Sequence, residues 1–242
     1  MPVNICDDPG AAHGGTMNRK LDLDGFAVVP AVLGSKLVND IGQSLAEHLP
    51  SGAAGIRALA AKVPYVNELS RSLLIRALVE PILGPDAQLV RSVLFAKSEE
   101  ANWHVAWHQD LAIAVQNRVE VDGFVSWSSK EGVLHVQPPI QFLERMLTLR
   151  LHLDAADETN GALWVSPGSH HSGRLPAGEA ASIAEQRGKQ LCAVNAGDAM
   201  LMRPLLLHAS RKTSSNRPRR VIHLEFSGAL LPVPLLWARE AA

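Results

Sequence analysis

The chain has 242 residues, 47% hydrophobic and 19% charged, which is typical of a folded globular protein and excludes a largely disordered one. Its 23 Lys and Arg residues nearly balance its 24 Asp and Glu residues, so the charge favours neither nucleic acid nor an anionic membrane as a partner. Only two cysteines are present, which excludes a disulfide framework, and no apolar stretch reaches the roughly 20 residues of a membrane-spanning helix.

The N-terminal segment predicts where the protein resides and where its fold begins. The first twenty residues contain no apolar core of signal-peptide length, and together with the low cysteine content this predicts a cytoplasmic protein. A more structured pattern begins at Met17. We therefore expect residues 1–16 to form a disordered extension and residues 17–242 to form one domain, for which the chain is long enough.

The segment that follows predicts one strand and two helices. Residues 24–33 read as a short strand leading into a turn, after which Ser35 can cap a helix over residues 36–48. Apolar side chains recur at four-residue spacing along that helix. A second helix is predicted over residues 67–83, where a leucine-rich stripe is ended by Gly84 and the proline after it.

From about residue 88 onward, short β-rich segments alternate with turn-forming residues. No regular helix is predicted between them, which disfavours a doubly wound parallel sheet and predicts a mainly β barrel or sandwich behind N-terminal helices. Residues 116–145 have poor periodicity, and a long irregular connection of that kind is usually a lid or a binding loop. The predicted strands cover residues 87–97, 146–155, 162–168, 190–197, 199–210 and 219–228.

His108 and Asp110 lie two residues apart before an apolar run. On an extended strand both side chains would point to one side and could bind one metal ion, whereas the alternative is a polar strand start followed by a turn-forming aspartate. His104 and His108 would suit zinc on a helix, but Val105 stands where a metalloprotease motif needs glutamate. Other histidines, such as His152, are expected at positions where the ring is hydrogen-bonded.

A second set of polar residues lies near the C-terminus. His208 ends an apolar strand, and Arg219 opens the next one eleven residues later, so a hairpin would bring the two together. In that later strand Arg219, His223 and Glu225 share one face, which is costly to bury unless it lines a site. Two histidines and a carboxylate form the facial triad of non-heme Fe(II) oxygenases, and an arginine nearby would suit the distant carboxylate of 2-oxoglutarate.

Five segments resemble the phytanoyl-CoA dioxygenase family of Fe(II)/2-oxoglutarate-dependent oxygenases: "DGFAVVPAVL", "WHQD", "NGALWVSPGSH", "GDAMLMRPLLLHAS" and "RPRRVIHLEF", in the family's order over residues 22–228. The resemblance implies a double-stranded β-helix, a jelly-roll core of the cupin type. It also implies Fe(II) as the metal, with 2-oxoglutarate and O₂ as co-substrates. The implied site consists of His108, Asp110 and His208 as iron ligands, with Arg219 and Ser210 holding 2-oxoglutarate.

Other positions follow less directly from the resemblance. Val93 falls where the family has a wall of the co-substrate site, and Arg57 falls near a basic residue at that site. Arg150 replaces an aromatic residue of the family, and residues 116–145 are longer than its simplest pattern, so the acyl-CoA substrate of the family does not transfer to this chain. Trp103, Trp127 and Arg150 are the residues we expect at the substrate.

The expected activity is hydroxylation of an unactivated C–H bond in a small-molecule metabolite, with release of succinate and CO₂. The intact carboxylate of Asp110 argues against halogenation, because related halogenases replace this ligand with a small residue. Desaturation or cyclisation by the same site is an alternative. A non-catalytic or regulatory metal-binding β-barrel, and a Zn²⁺-dependent hydrolase or isomerase, are the others, although neither of these needs an arginine for a 2-oxo acid.

Overall fold

The computed structural model describes residues 10–130 and 132–238, and the first third of the chain is mainly helical. Residues 1–9 of the predicted extension lie outside the described residues, whereas residues 10–16 form the first turns of a helix. None of the described helices is long and apolar enough to cross a membrane. The helices are α1 (Gly10–Asp24), α2 (Ser35–Ala46), α3 (Leu59–Lys62), α4 (Pro64–Arg71), α5 (Leu73–Leu83), α6 (Ile140–Leu143) and α7 (Ala180–Arg187).

The strands of the described residues form three sheets with antiparallel pairing throughout. They are β1 (Phe26–Val29), β2 (Gly55–Arg57), β3 (Gln88–Lys97), β4 (Val105–His108), β5 (Ile113–Val115), β6 (Val125–Lys130), β7 (Val133–Gln137), β8 (Met146–His152), β9 (Leu163–Val165), β10 (Gln190–Cys192), β11 (Ala199–Met202), β12 (His208–Ser210) and β13 (Arg219–Ser227).

Two of the sheets form the core of the fold. The larger has the order β1-β11-β8-β13-β3-β2, and the smaller has the order β10-β9-β12-β4. Apolar side chains of the two sheets pack together between them, including Met200 and Met202 from the larger and Leu163 and Val165 from the smaller. This arrangement is the double-stranded β-helix that the sequence predicted, so the predicted fold class is confirmed.

The helices cover the outer face of the six-stranded sheet. Side chains of α2, α4 and α5, among them Ile41, Val66 and Ile75, join the outward-facing Leu149 and Leu224 in the main hydrophobic core. All five are fully buried, and burying a large aliphatic side chain stabilises a fold by about 1.5–3 kcal/mol. The helical layer thus fixes the sheet that carries the candidate site on its other face.

The predicted helix boundaries need two corrections. The segment predicted as one helix over residues 67–83 is two helices, because Ser72 is extended and caps α5 by accepting a hydrogen bond from the N–H of Ile75. In α2 the N-cap is Gly34, and Ser35 is already helical, so the predicted cap at Ser35 is wrong. In both cases a serine can be either the N-cap or a residue within the helix, and the apolar spacing alone does not decide between these two positions.

The segment predicted as one strand over residues 199–210 is two strands in different sheets. β11 ends at Met202 in the larger sheet, a turn closes with a hydrogen bond from the N–H of Leu206 to the carbonyl of Arg203, and β12 begins at His208 in the smaller sheet. The predicted hairpin between the strands of His208 and Arg219 is therefore wrong. β12 pairs with β4 and β9, while β13 pairs with β3 and β8.

Residues 116–145 are not the irregular connection that was predicted. They contain β6, β7 and α6, and with β5 they form a three-stranded sheet over an apolar cluster that includes Phe124 and Val136. A register shift between Val125 and Ser128 interrupts the alternation of β6, which explains why the pattern was missed. Helix α7 was also missed: it buries only two alanines, Ala180 and Ala184, so its apolar stripe is weak.

Candidate metal centre

The side chains of His108, Asp110 and His208 meet at one end of the double-stranded β-helix. His208, the first residue of β12, is paired directly with His108, the last residue of β4. Asp110 lies just beyond β4, where its backbone N–H donates to the carbonyl of Pro204 (2.9 Å) in the turn that precedes β12. One potential ligand atom of each side chain lies within 4.8 Å of the others.

The backbone of each strand orients its imidazole. Nδ1 of His108 lies 2.8 Å from the carbonyl oxygen of Ala106, and Nδ1 of His208 lies 2.9 Å from that of Leu206. Since a carbonyl only accepts, each Nδ1 carries a proton, and in the neutral form of each ring Nε2 has a free lone pair. This is the support that metal-ligating histidines usually have. His104 precedes β4 rather than lying on a helix, so the helical zinc arrangement is excluded.

The geometry fits a metal ion and disfavours direct hydrogen bonds among the three groups. Nε2 of His108 and Nε2 of His208 each lie 3.6 Å from a different carboxylate oxygen of Asp110, beyond normal hydrogen-bond distance. Lone pairs that converge without a proton between them repel one another unless a cation lies among them. Two neutral imidazoles and one carboxylate are the donor set of non-heme Fe(II) oxygenases.

The charge states of His208 and Asp110 agree with that donor set. Burial lowers the pKa of His208 to about 4, so the ring is neutral at pH 7 and can donate its lone pair. Burial alone would raise the pKa of the Asp110 carboxyl, but the neighbouring His208 and His108 outweigh burial and hold this pKa well below its usual range. Asp110 is therefore ionised at any pH at which the protein would work.

A second polar group lies deeper in the fold, at the junction of β3 and β13. Arg219 opens β13 and is paired with Lys97, the last residue of β3. The two side chains are 3% and 1% exposed, and within the described part of the chain no carboxylate lies in salt-bridge distance of either. Burial lowers the pKa of Arg219 to about 9, so the guanidinium remains charged at pH 7. A buried cation of this kind needs an anionic ligand.

Lys97 was not identified from the sequence, yet it organises this end of the site. Its Nζ donates to Oγ of Ser210 (2.9 Å) and to the carbonyl of Arg211 (2.7 Å), and lies 5.0 Å from the ring centroid of Trp103. Burial, reinforced by two nearby guanidinium groups, lowers the pKa of Lys97 to about 7. A Cβ at Gly161, whose φ is +80°, would lie 3.1 Å from this Nζ, so glycine is required there.

Arg150 on β8 is a third buried cation near the site. Its Nη1 donates to Nδ1 of His223 (3.1 Å), Nε2 of His223 donates to Glu225 (3.0 Å), and Glu225 accepts a further bond from Arg91 (2.5 Å). Because Nδ1 accepts from a guanidinium, the proton of His223 must be on Nε2. Two residues of the predicted inward polar face of β13, His223 and Glu225, thus belong to one connected network.

One cavity of about 130 Å³ joins the ligand cluster to the cations. Its apolar walls include Phe95, Trp103 and Leu163, which limit the access of water to the ligand cluster. The polar residues of its lining are Arg91, His108, Asp110, Arg150, His208, Ser210, Arg219 and His223.

The structure does not bring all predicted site residues to this cavity. Val93 is buried beside it, paired with His223 and with Arg57 on the inward face of the larger sheet. Arg57 itself is exposed on β2 and does not line the cavity. Trp127 lies on β6 in the three-stranded sheet, with the guanidinium of Arg118 over its ring, and is also outside the lining.

The comparisons with known proteins agree with this geometry. Residues 21–221 match the family described as phytanoyl-CoA dioxygenase (PhyH). No curated protein matches the chain.

Solved structures with a similar fold share little sequence with this chain. EctD from S. alaskensis in its apoform has a TM-score of 0.69 at 18% identity, covering 100% of this chain and 88% of EctD. HygX from Streptomyces hygroscopicus with nickel and 2-oxoglutarate bound has a TM-score of 0.63 at 18% identity, with 88% and 86% covered. The non-heme alpha-ketoglutarate-dependent epimerase SnoN from nogalamycin biosynthesis has a TM-score of 0.65 at 19% identity, with 90% and 83% covered.

The family match spans most of the chain and includes every residue of the ligand cluster and Arg219. The chain therefore belongs to the phytanoyl-CoA dioxygenase family and is a non-heme iron oxygenase that depends on 2-oxoglutarate.

Proposed function

We propose that this oxygenase hydroxylates an unactivated C–H bond of a small-molecule metabolite and releases succinate and CO₂. In this proposal His108, Asp110 and His208 hold Fe(II), while Arg219 and Ser210 hold the distal carboxylate of 2-oxoglutarate. The observation that carries the proposal is that three convergent donor side chains share one cavity with a buried guanidinium that has no carboxylate partner among the described residues.

Iron, when bound, would activate O₂, which is the oxidant for C–H cleavage, and 2-oxoglutarate would supply two of the electrons that O₂ takes up. The residues of the chain bind and orient the metal and the co-substrate and shield them from water. His108 and His208 are held by backbone carbonyls so that their Nε2 atoms face the centre, and Arg219 neutralises one end of the co-substrate. Trp103 covers the cation end of the cavity, where excluding water strengthens the charged contacts.

Hydroxylation is favoured over halogenation because Asp110 is a carboxylate directed at the donor cluster. Ring closure and epimerisation are the second candidates, because similar folds include the non-heme alpha-ketoglutarate-dependent carbocyclase SnoK and the epimerase SnoN. A small cavity and a net formal charge of −1 support a small-molecule substrate over nucleic acid. No acyl-CoA preference is proposed, because residues 116–145, which are longer than the simplest pattern of the family, form a three-stranded sheet with β5.

The proposal is tested by anaerobic addition of Fe(II) and 2-oxoglutarate to the purified protein. A visible charge-transfer band should appear, and admission of O₂ should yield succinate, faster in the presence of a true substrate. Mass spectrometry of a metabolite mixture would then separate the reactions, since hydroxylation adds one oxygen, desaturation or ring closure removes two hydrogens, and epimerisation leaves the mass unchanged. A protein that forms the band but no succinate with any candidate would be a metal-binding barrel without turnover.

A further inference from the structure

Arg150 is a buried cation in the cavity wall that the proposed roles of the other residues leave unexplained. Arg150 is 5% exposed. Among the described residues its Nε has no hydrogen-bond partner, and its guanidinium forms one hydrogen bond, from Nη1 to the neutral Nδ1 of His223. Burying a guanidinium without a counter-charge is expensive. The most direct explanation is that a ligand supplies the missing anion.

The protein fixes this guanidinium in place through a chain of polar groups. Arg91 holds Glu225, Glu225 holds Nε2–H of His223, and His223 presents Nδ1 to Arg150. The side chain also crosses toward β3, where its Cζ lies 5.9 Å from the ring centroid of Phe95. Such support is what a residue needs when it must meet a ligand at a set position.

Arg150 and Arg219 enter the cavity at different levels. On β13 the residue paired with Arg150 is His223, four positions from Arg219, or about 13 Å along an extended strand. Arg219 and Lys97 therefore mark the deep end of the cavity. Arg150 enters nearer the ligand cluster, where burial lowers the pKa of its guanidinium to about 10 and the negative charge of Asp110 opposes that shift.

We propose that Arg150 binds the carboxylate at the metal-bound end of 2-oxoglutarate, so that the co-substrate meets a guanidinium at each of its two carboxylates. This inference rests on the proposed function of the site. It reassigns Arg150 from the prime substrate to the co-substrate. The reason is burial: the side chain of His108 is 38% exposed, whereas Arg150 is only 5% exposed.

The test compares two 2-oxo acids that share the metal-bound end and differ at the other. 2-Oxoglutarate has both carboxylates, and 2-oxobutanoate has only the carboxylate beside the keto group. Dissociation constants are measured from the visible charge-transfer band of the anaerobic Fe(II) protein. Arg150→Gln should raise the dissociation constant of both acids about tenfold, the effect of losing a charge-assisted hydrogen bond. Arg219→Gln should raise that of 2-oxoglutarate alone.

Three variants complete the design. Arg187→Gln on α7 removes an exposed guanidinium that does not line the cavity and should change neither constant. Arg150→Lys keeps the charge but not the planar fork, and should give an intermediate loss for both acids, which decides the matter if Arg150→Gln does not fold. Iron content and melting temperature are recorded for each variant.

Two results would overturn the inference: unchanged constants for both acids in the Arg150 variants, or a loss for 2-oxoglutarate alone, which would place Arg150 at the distal end. Absence of the band in the wild-type protein would instead overturn the proposed function itself, so the two failures are distinguishable.

Discussion

The two faces of β13 are built from alternate residues of one strand and have opposite tasks. Ile222, Leu224 and Phe226 point outward into the helical layer and are fully buried among apolar side chains. Arg219 and His223 point inward, equally buried, but among charges. Burial therefore does not distinguish core from site here; the chemistry of the neighbours does. Burial of the apolar outward face stabilises the fold. Burial of the charged inward face destabilises it, and binding of ligands must compensate for that loss.

The largest difference between the two faces is expected when a ligand of the metal centre is removed. Asp110→Ala removes the single anionic ligand, and we expect the affinity for Fe(II) to fall by well over a hundredfold, because removal of even a supporting group typically costs 10–100-fold. Succinate formation should disappear with it. Metal analysis after gel filtration measures the loss.

The matched control for that variant is Asp122→Ala, which removes an exposed carboxylate outside the cavity. It should keep its iron. If Asp110→Ala retained a full equivalent of iron, the ligand set assigned to the inward face would be wrong.

The outward face should respond in the opposite way. Leu224→Ala leaves a void in the helical layer, and the free energy of unfolding should fall by about 2–5 kcal/mol. The affinity of the protein that remains folded for Fe(II) should be unchanged. Urea unfolding and metal titration measure the two quantities separately.

Leu230 is 83% exposed, so Leu230→Ala serves as the control and should change the unfolding free energy by less than about 0.5 kcal/mol. A large loss of iron affinity in folded Leu224→Ala protein would show that the two faces are not independent.

How much of the division of β13 into two faces could be predicted depends on how close together in the sequence the relevant residues lie. His108 and Asp110 sit two residues apart, and the alternation of Arg219, His223 and Glu225 is visible along β13, so ligands and polar face were predicted together. The way in which the strands assemble into two sheets could not be predicted from the sequence. The chain changes sheets in the turn after Met202, and the periodicity does not show this change because residues 199–202 before the turn and residues 205–207 after it are all buried and apolar.

Lys97 and Arg150 show a second limit of the sequence. Lys97 was not predicted at the site, because a single long cation at the end of a strand reads as a side chain that reaches solvent, and Arg150 was predicted at the substrate and not beside other cations. Only the pairing of β3, β13 and β8 brings their heads into one buried cluster. In the three-stranded sheet, the interrupted register of β6 hid a different feature, a strand whose period is broken by Ser126 at φ +55°.

The smallest predicted effect concerns His152, which faces inward on β8. It was expected to be hydrogen-bonded, but it is 3% exposed and neither ring nitrogen has a partner among the described residues. Burial first, and then the charges of Arg150 and Arg219, lower its pKa well below 6.5. The folded protein therefore keeps this ring neutral, while the unfolded chain takes up a proton below about pH 6.5, so the folded state loses stability as the pH falls.

His152→Leu should remove that loss. At pH 7.5 the variant should differ little from wild type, since no hydrogen bond is broken, whereas at pH 5.5 it should gain about 1 kcal/mol relative to wild type, the linkage of one such ring over one pH unit. Urea unfolding at both pH values measures this, and His48→Gln, at an exposed position on the surface, provides the control. An equal difference at the two pH values would mean that His152 titrates alike in both states. The destabilisation of the inward face would then come from its buried cations alone, and not from His152.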